Sequence, residues 1–133
     1  MRWRDPKAAG RQEERRRRES EAPRLADTVP GLEKLRLDVL ERSPNVARPE
    51  HTHTRHVVVD RAPALFVLPC YDTQCKDGGH DLTAEIMAAL KAKRVRFEGE
   101  DLCPGMVGTA SCSRVLGYVG LATYQTTVTS PTT

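Results

Sequence analysis

Three Tyr, two Phe and one Trp are all the aromatic residues in a chain of 133, about 5% of it. A core made from this sequence must therefore be mostly aliphatic. Long apolar runs are missing too. Nothing approaches the ~18 consecutive apolar residues of a membrane span, so no membrane association is expected. The opening Met-Arg-Trp-Arg-Asp-Pro has no apolar stretch behind it, which argues against a secretory signal and for a cytoplasmic location. There is no G-x-S-x-G, no P-loop and no H-E-x-x-H, so no catalytic residue is assigned. No internal repeat is visible.

What is present fits one domain and not comfortably two. Charged residues make up 29% and the hydrophobic set 38%. The net charge of +3 is unevenly spread. Residues 1–24 carry nine Lys/Arg against five Asp/Glu, while the remainder carries twelve against thirteen. The positive excess thus sits in a basic, arginine-rich arm ahead of a nearly neutral body.

That arm is rich in helix formers and has no apolar stripe, so burial cannot hold it. Glu13–Arg17 and Glu14–Arg18 are i,i+4 pairs in the favourable order. Arg11, Arg15, Arg16, Arg17 and Arg18 are the candidate contacts to an acidic partner, because clustered guanidinium groups grip phosphate bidentately. RNA or a ribonucleoprotein surface is the leading partner. The interleaved Glu makes a protein surface the competitor, and a merely solvated helix the plainer alternative. Trp3 is the arm's one large apolar residue, either an anchor against the core or a partner or simply an exposed side chain.

Pro23 ends the arm. Residues 25–55 read as an amphipathic helix and a linker. Thr28 is the expected N-cap, and Leu32, Leu35, Val39 and Leu40 share one face of a helix ending near Ser43-Pro44. A protein partner for that Leu32–Leu40 face is a further possibility. His51, His53 and His56 fall in or beside the polar linker, where a solvated role is preferred over metal binding. Residues 56–124 form the expected core domain. Val57–Val59 and Ala64–Leu68 read as strands, Asp81–Lys93 as a helix with Leu82, Ile86, Ala89 and Leu90 inward, and Val95–Phe97 and Arg114–Tyr124 as strands. Residues 125–133 read as a disordered tail.

All four cysteines lie in this core, as Cys70-x4-Cys75 and Cys103-x8-Cys112. Two thiol pairs at strand ends, with a helix between them, are what a four-sulfur metal site needs. Cys70, Cys75, Cys103 and Cys112 are therefore the candidate ligands, with Zn2+ the expected ion. Thiols ahead of a helix N-terminus should ionise readily in its dipole. His80 is a possible substitute ligand, but a helix-cap role is preferred. Four reduced, partly buried thiols are the bland alternative.

Val67-Leu68-Pro69-Cys70-x4-Cys75, then a helix, then Cys103-Pro104-Gly105 and a late cysteine before a β-run, resembles the thioredoxin-like [2Fe-2S] ferredoxins over residues 64–124. The resemblance implies a [2Fe-2S] cluster on the same four cysteines and a redox role. The second pair here is separated by eight residues where the family has three.

The expected fold is α+β: a small mixed β-sheet with one packed helix, cysteine pairs at the sheet end and a helical N-terminal extension. The expected function is a non-enzymatic, zinc-stabilised binding module. A [2Fe-2S] or dithiol redox protein, and a structural component of a larger assembly, are the alternatives.

Overall fold

A computed structural model describes residues 6–43, 50–71, 75 and 78–125, without the side chains of 6–12 and 15. Helix α1 (Pro6–Glu21) and the one-turn α2 (Leu25–Thr28) come first. Strands β1 (Leu32–Arg42), β2 (His51–Val57), β3 (Val67–Leu68) and β4 (His80–Asp81) follow. Then come helix α3 (Thr83–Lys91) and strands β5 (Arg96–Leu102), β6 (Met106–Val107), β7 (Ala110–Ser111) and β8 (Val115–Tyr124). The main sheet has the order β2-β1-β8-β5, and β3-β4 and β6-β7 are separate two-stranded ribbons.

The α+β class is as expected, but several details differ. Every pairing in the main sheet is antiparallel, so the sheet is not mixed. The amphipathic helix expected over Leu32–Leu40 is instead the central strand β1, and Thr28 closes α2 rather than capping a helix. Leu35, Leu37, Val39 and Glu41 point inward, and Arg36 and Arg42 outward. Leu32, Leu35 and Val39 fit a helical stripe, but Leu37 does not. Alternation places Leu37 in the core, where it is fully buried. A partner for a Leu32–Leu40 helix therefore has no surface to meet.

The residues expected to continue the linker form β2, which pairs with β1 from Leu35↔Val57 to Glu41↔His51. Its sequence His-Thr-His-Thr-Arg-His is polar because β2 is an edge strand with little covering it. Only Val57 of the expected Val57–Val59 strand is in a strand. The linker positions 44–49, the tail positions 126–133 and Trp3 lie outside the described residues.

Helix α3 matches expectation closely. It packs Ile86, Met87, Ala89 and Leu90 into one cluster with Leu35, Leu37, Val39, Phe97, Leu116, Tyr118 and Ala122 of the sheet. Each fully buried aliphatic contributes ~1.5–3 kcal/mol. Aromatic scarcity is met by a close cross-strand arrangement. Phe97 faces Gly120 across β5 and β8, and a Cβ on Gly120 would lie 2.2 Å from the Phe97 ring. The absent side chain is the space the ring fills. Tyr118 donates from its hydroxyl to Glu85 of α3 at 3.0 Å, tying helix to sheet.

Helix α1 is joined to this body by the Arg18–Asp81 pair at 3.1 Å, with both side chains about half exposed. The chain enters the fold just beyond it: Ala64 N–H donates to the Pro23 carbonyl, and Leu25 N–H to that of Ala62. Among the described residues, no helix is long and apolar enough to cross a membrane.

Candidate metal centre

The last inward-facing row of the sheet is Glu41, Leu116 and Asp101, on β1, β8 and β5. The cysteines gather just past it. Cys70 follows β3, and Cys103 follows β5 directly. The ladder continues for one more step, with Cys103 N–H donating to the Arg114 carbonyl at 2.8 Å. The eight residues between Cys103 and Cys112 then turn back on themselves. Met106 pairs with Ser111 and Val107 with Ala110, around Gly108-Thr109. Cys112 N–H donates to the Gly105 carbonyl at 2.9 Å, closing the base of this hairpin. A spacing too wide for a compact knuckle is thus a good spacing for a hairpin with a thiol on each leg.

All four sulfurs lie within 4.8 Å of one another. Cys70 and Cys112 are 3.7 Å apart at Sγ, and Cys75 and Cys103 are 3.6 Å apart. A disulfide needs about 2.05 Å, so these are free thiols. A tetrahedral ion with ~2.3 Å metal–sulfur bonds sets its ligands about 3.8 Å apart, close to both distances. Both of these contacts join one cysteine of each sequence pair, which knits the two segments together. The four cysteines can hold a metal ion.

Close packing of thiols has an electrostatic consequence. Burial, together with Cys112 and Cys103 close by, pushes the Cys70 thiol up to about 12. Burial and the neighbouring Cys103 raise Cys75 as well. These two were expected to ionise readily at a helix N-terminus. Strand β4 intervenes before α3, and Asp81 already accepts the Thr83 N–H there, at 3.1 Å. Cys103 shifts the other way. Burial opposes its ionisation, but hydrogen bonds from the Gly105 and Gly79 N–H groups, and from Cys75 and Cys112, lower its pKa. The Cys103 thiolate is favoured, and Cys70 and Cys75 resist ionisation until a cation supplies the opposing charge.

Gly78 is required by contact. A Cβ there would sit 2.3 Å from the Cys75 sulfur and 2.6 Å from that of Cys103. The backbone lies against the sulfurs, and any side chain would displace them.

His80 is neither a ligand nor a helix cap. It is almost fully buried, with Nδ1 2.7 Å from Asp101 Oδ2 and Nε2 3.2 Å from Glu41 Oε1. Burial works against its charge, but the two carboxylates prevail and raise its pKa. Glu41, also opposed by burial, is lowered by His80 and by the Tyr71 N–H. That N–H reaches both Glu41 oxygens, at 3.1 and 3.3 Å. The sequence reading missed Glu41 and Asp101. The available signal was a carboxylate at the next inward position after Leu35, Leu37 and Val39, hidden while this segment was read as a helix.

Of the histidines assigned to the linker, His51 stacks on Tyr71 with ring centroids 3.8 Å apart and planes 4° apart. Arg114 sits 5.4 Å from the same ring. Of the arm residues, Arg16, Arg17 and Arg18 are exposed on α1. The side chains of Arg11 and Arg15 lie outside the described residues. Comparison of the chain with protein families, curated proteins and solved structures found no match in any of the three.

Proposed function

We propose that the chain is a non-enzymatic binding module fastened by one Zn2+ on Cys70, Cys75, Cys103 and Cys112, whose arginine arm meets an acidic partner. The convergence of four sulfurs within 4.8 Å carries this reading. Four protein ligands close the coordination shell, as in structural zinc sites, and leave no open position for a substrate. All-sulfur tetrahedral sites suit zinc or iron. A [2Fe-2S] cluster, as the ferredoxin-like resemblance implies, attaches two thiolates to each iron with sulfides between. That spreads the pairs apart, and a tetrad this tight favours a single ion.

The arm's support is simpler. Arg16, Arg17 and Arg18 lie exposed on a helix docked through Arg18 and Asp81. RNA, a ribonucleoprotein or an acidic protein surface would meet them. Binding to RNA would weaken with salt by a log–log slope of roughly 0.7 to 0.9 per phosphate contact. Replacing Arg15–Arg18 with Gln should flatten it, and equal shallow curves for both proteins would remove nucleic acid.

Elemental analysis of the full chain, purified without chelator, tests the metal. The expected result is about one equivalent of zinc and no visible absorption. Colour with iron would favour the cluster. Less than about a tenth of an equivalent of both metals together refutes the site.

A further inference from the structure

Cys103 continues the β5 ladder and Cys112 closes a hairpin, but Cys70 and Cys75 come from segments with little regular structure of their own. The ribbon that precedes Cys70 and carries His80 has only two residue pairs, Val67↔Asp81 and Leu68↔His80. Among the described residues, the pairing of that ribbon ends before Cys70, and Cys75 lies outside it.

The buried carboxylate–imidazole–carboxylate chain is placed to aim these segments. His80 spans the row formed by Glu41, Leu116 and Asp101, bonding to the acid at each end. Each member adjoins a different ligand segment. Glu41 accepts the N–H of Tyr71, the residue after Cys70. His80 directly follows Gly79, whose N–H bonds the Cys103 sulfur at the end of the Cys75 loop. Asp101 lies on β5 two residues before Cys103. Three separately positioned loops are thus referred to one ionic frame. The fourth ligand, Cys112, is registered by the hairpin instead.

We propose that Glu41, His80 and Asp101 are positioning residues for the metal centre, holding the Cys70, Cys75 and Cys103 segments at the spacing a tetrahedral ion requires. This rests on the metal reading above. A buried ionic chain is costly unless each member is satisfied, and is no better for stability than well-packed apolar residues. Its location against three ligand loops gives it a task that apolar packing could not perform. Hydrogen-bonded groups behind metal ligands commonly set affinity by 10- to 100-fold.

The test uses the full chain and Zn2+ or Co2+ alone. Zinc affinity is measured by competition with a chromogenic chelator, and ligand geometry by the Co2+ d–d and thiolate charge-transfer bands. Glu41→Ala and His80→Ala should each weaken zinc about 10- to 100-fold and shift the cobalt bands. Glu41→Gln keeps an acceptor for the Tyr71 N–H and should recover much of the affinity and the wild-type spectrum. Ile86→Ala, on the buried face of α3, is the control for stability alone, and should leave the cobalt bands unshifted. If an alanine variant fails to fold, Asp101→Ala, at the partly exposed end of the frame, carries the test with the same expected loss. Frame variants that bind zinc as wild type does, with wild-type cobalt bands, overturn the positioning role and leave the metal site standing. A wild-type chain that takes up neither ion overturns the metal reading, and this inference with it.

Discussion

Gly78→Ala separates a metal centre from four idle thiols. The added Cβ would sit 2.3 Å from one sulfur and 2.6 Å from another, where ordinary contacts begin near 3.5 Å. Both sulfurs must move by roughly 1 Å. In a metal-free cluster this is cheap, because a cysteine sulfur swings away by rotation about one bond. In a coordinated cluster it is not, since ligand distances hold to within about 0.2 Å. A four-ligand zinc site is worth ~10–16 kcal/mol, or about 3 kcal/mol per thiolate. Losing one ligand should thus weaken zinc by about 100-fold, and losing two by far more. Chelator competition on the purified chain measures this directly. Gly108→Ala is the companion variant. It lies at φ +63° in the hairpin turn with open space around it, so it strains the backbone without touching a sulfur. It should cost about 1 kcal/mol of stability and little zinc affinity. A Gly78→Ala protein that retains zinc as tightly as wild type would refute the reasoning.

Phe97→Ala empties the space above Gly120 and should cost ~3–5 kcal/mol in denaturant unfolding; a loss below about 1 kcal/mol would mean the ring is not a core element. Removing residues 1–21 deletes the exposed Arg18–Asp81 pair and should cost less than about 1 kcal/mol, whereas extending the cut through Leu25 also removes the Pro23 and Leu25 backbone bonds and a fully buried side chain, and should cost several times more. His80 is raised in the folded state, so its contribution is complete below its ordinary pKa and fades as pH climbs through the raised value; Glu41 is lowered, so its contribution is present above the ordinary glutamate range and fades as pH falls through the lowered one. The stability gap between wild type and His80→Gln, read from urea midpoints in zinc between about pH 5 and pH 9, should therefore be widest on the acidic side and narrow towards alkaline pH. A gap that widens with rising pH would contradict a charged His80.

Much of the C-terminal half was legible because its signals are local. Helix α3 has a buried stripe at helical spacing, and β8 has alternating apolar residues with nothing to compete for them. The four cysteines announce themselves by residue type. What sequence could not decide is set by partners distant in the chain. Leu32, Leu35 and Val39 satisfy two periods at once, and β8 on one side and β2 on the other select the strand. Strand β2 owes its existence to β1 rather than to its own polar residues. The frame of Glu41, His80 and Asp101 draws one residue from each of three elements, and none is unusual where it stands in the sequence.

The strand order β2-β1-β8-β5 also bears on how the chain reaches its fold. Strands β1 and β2 are close in sequence, and so are β5 and β8, so each pair can form as a local unit. The seam between β1 and β8 is different: Leu35 meets Ala122, with most of the chain intervening. Closing so long a loop is an entropic cost met before the seam repays it, which makes docking of the two halves the expected slow step. Until then β1 and β8 each present an unpaired edge beside apolar side chains, and a second molecule offers the same edges. Refolding yield should therefore fall with protein concentration even where the finished sheet is safe, its outer strands β2 and β5 being the polar ones.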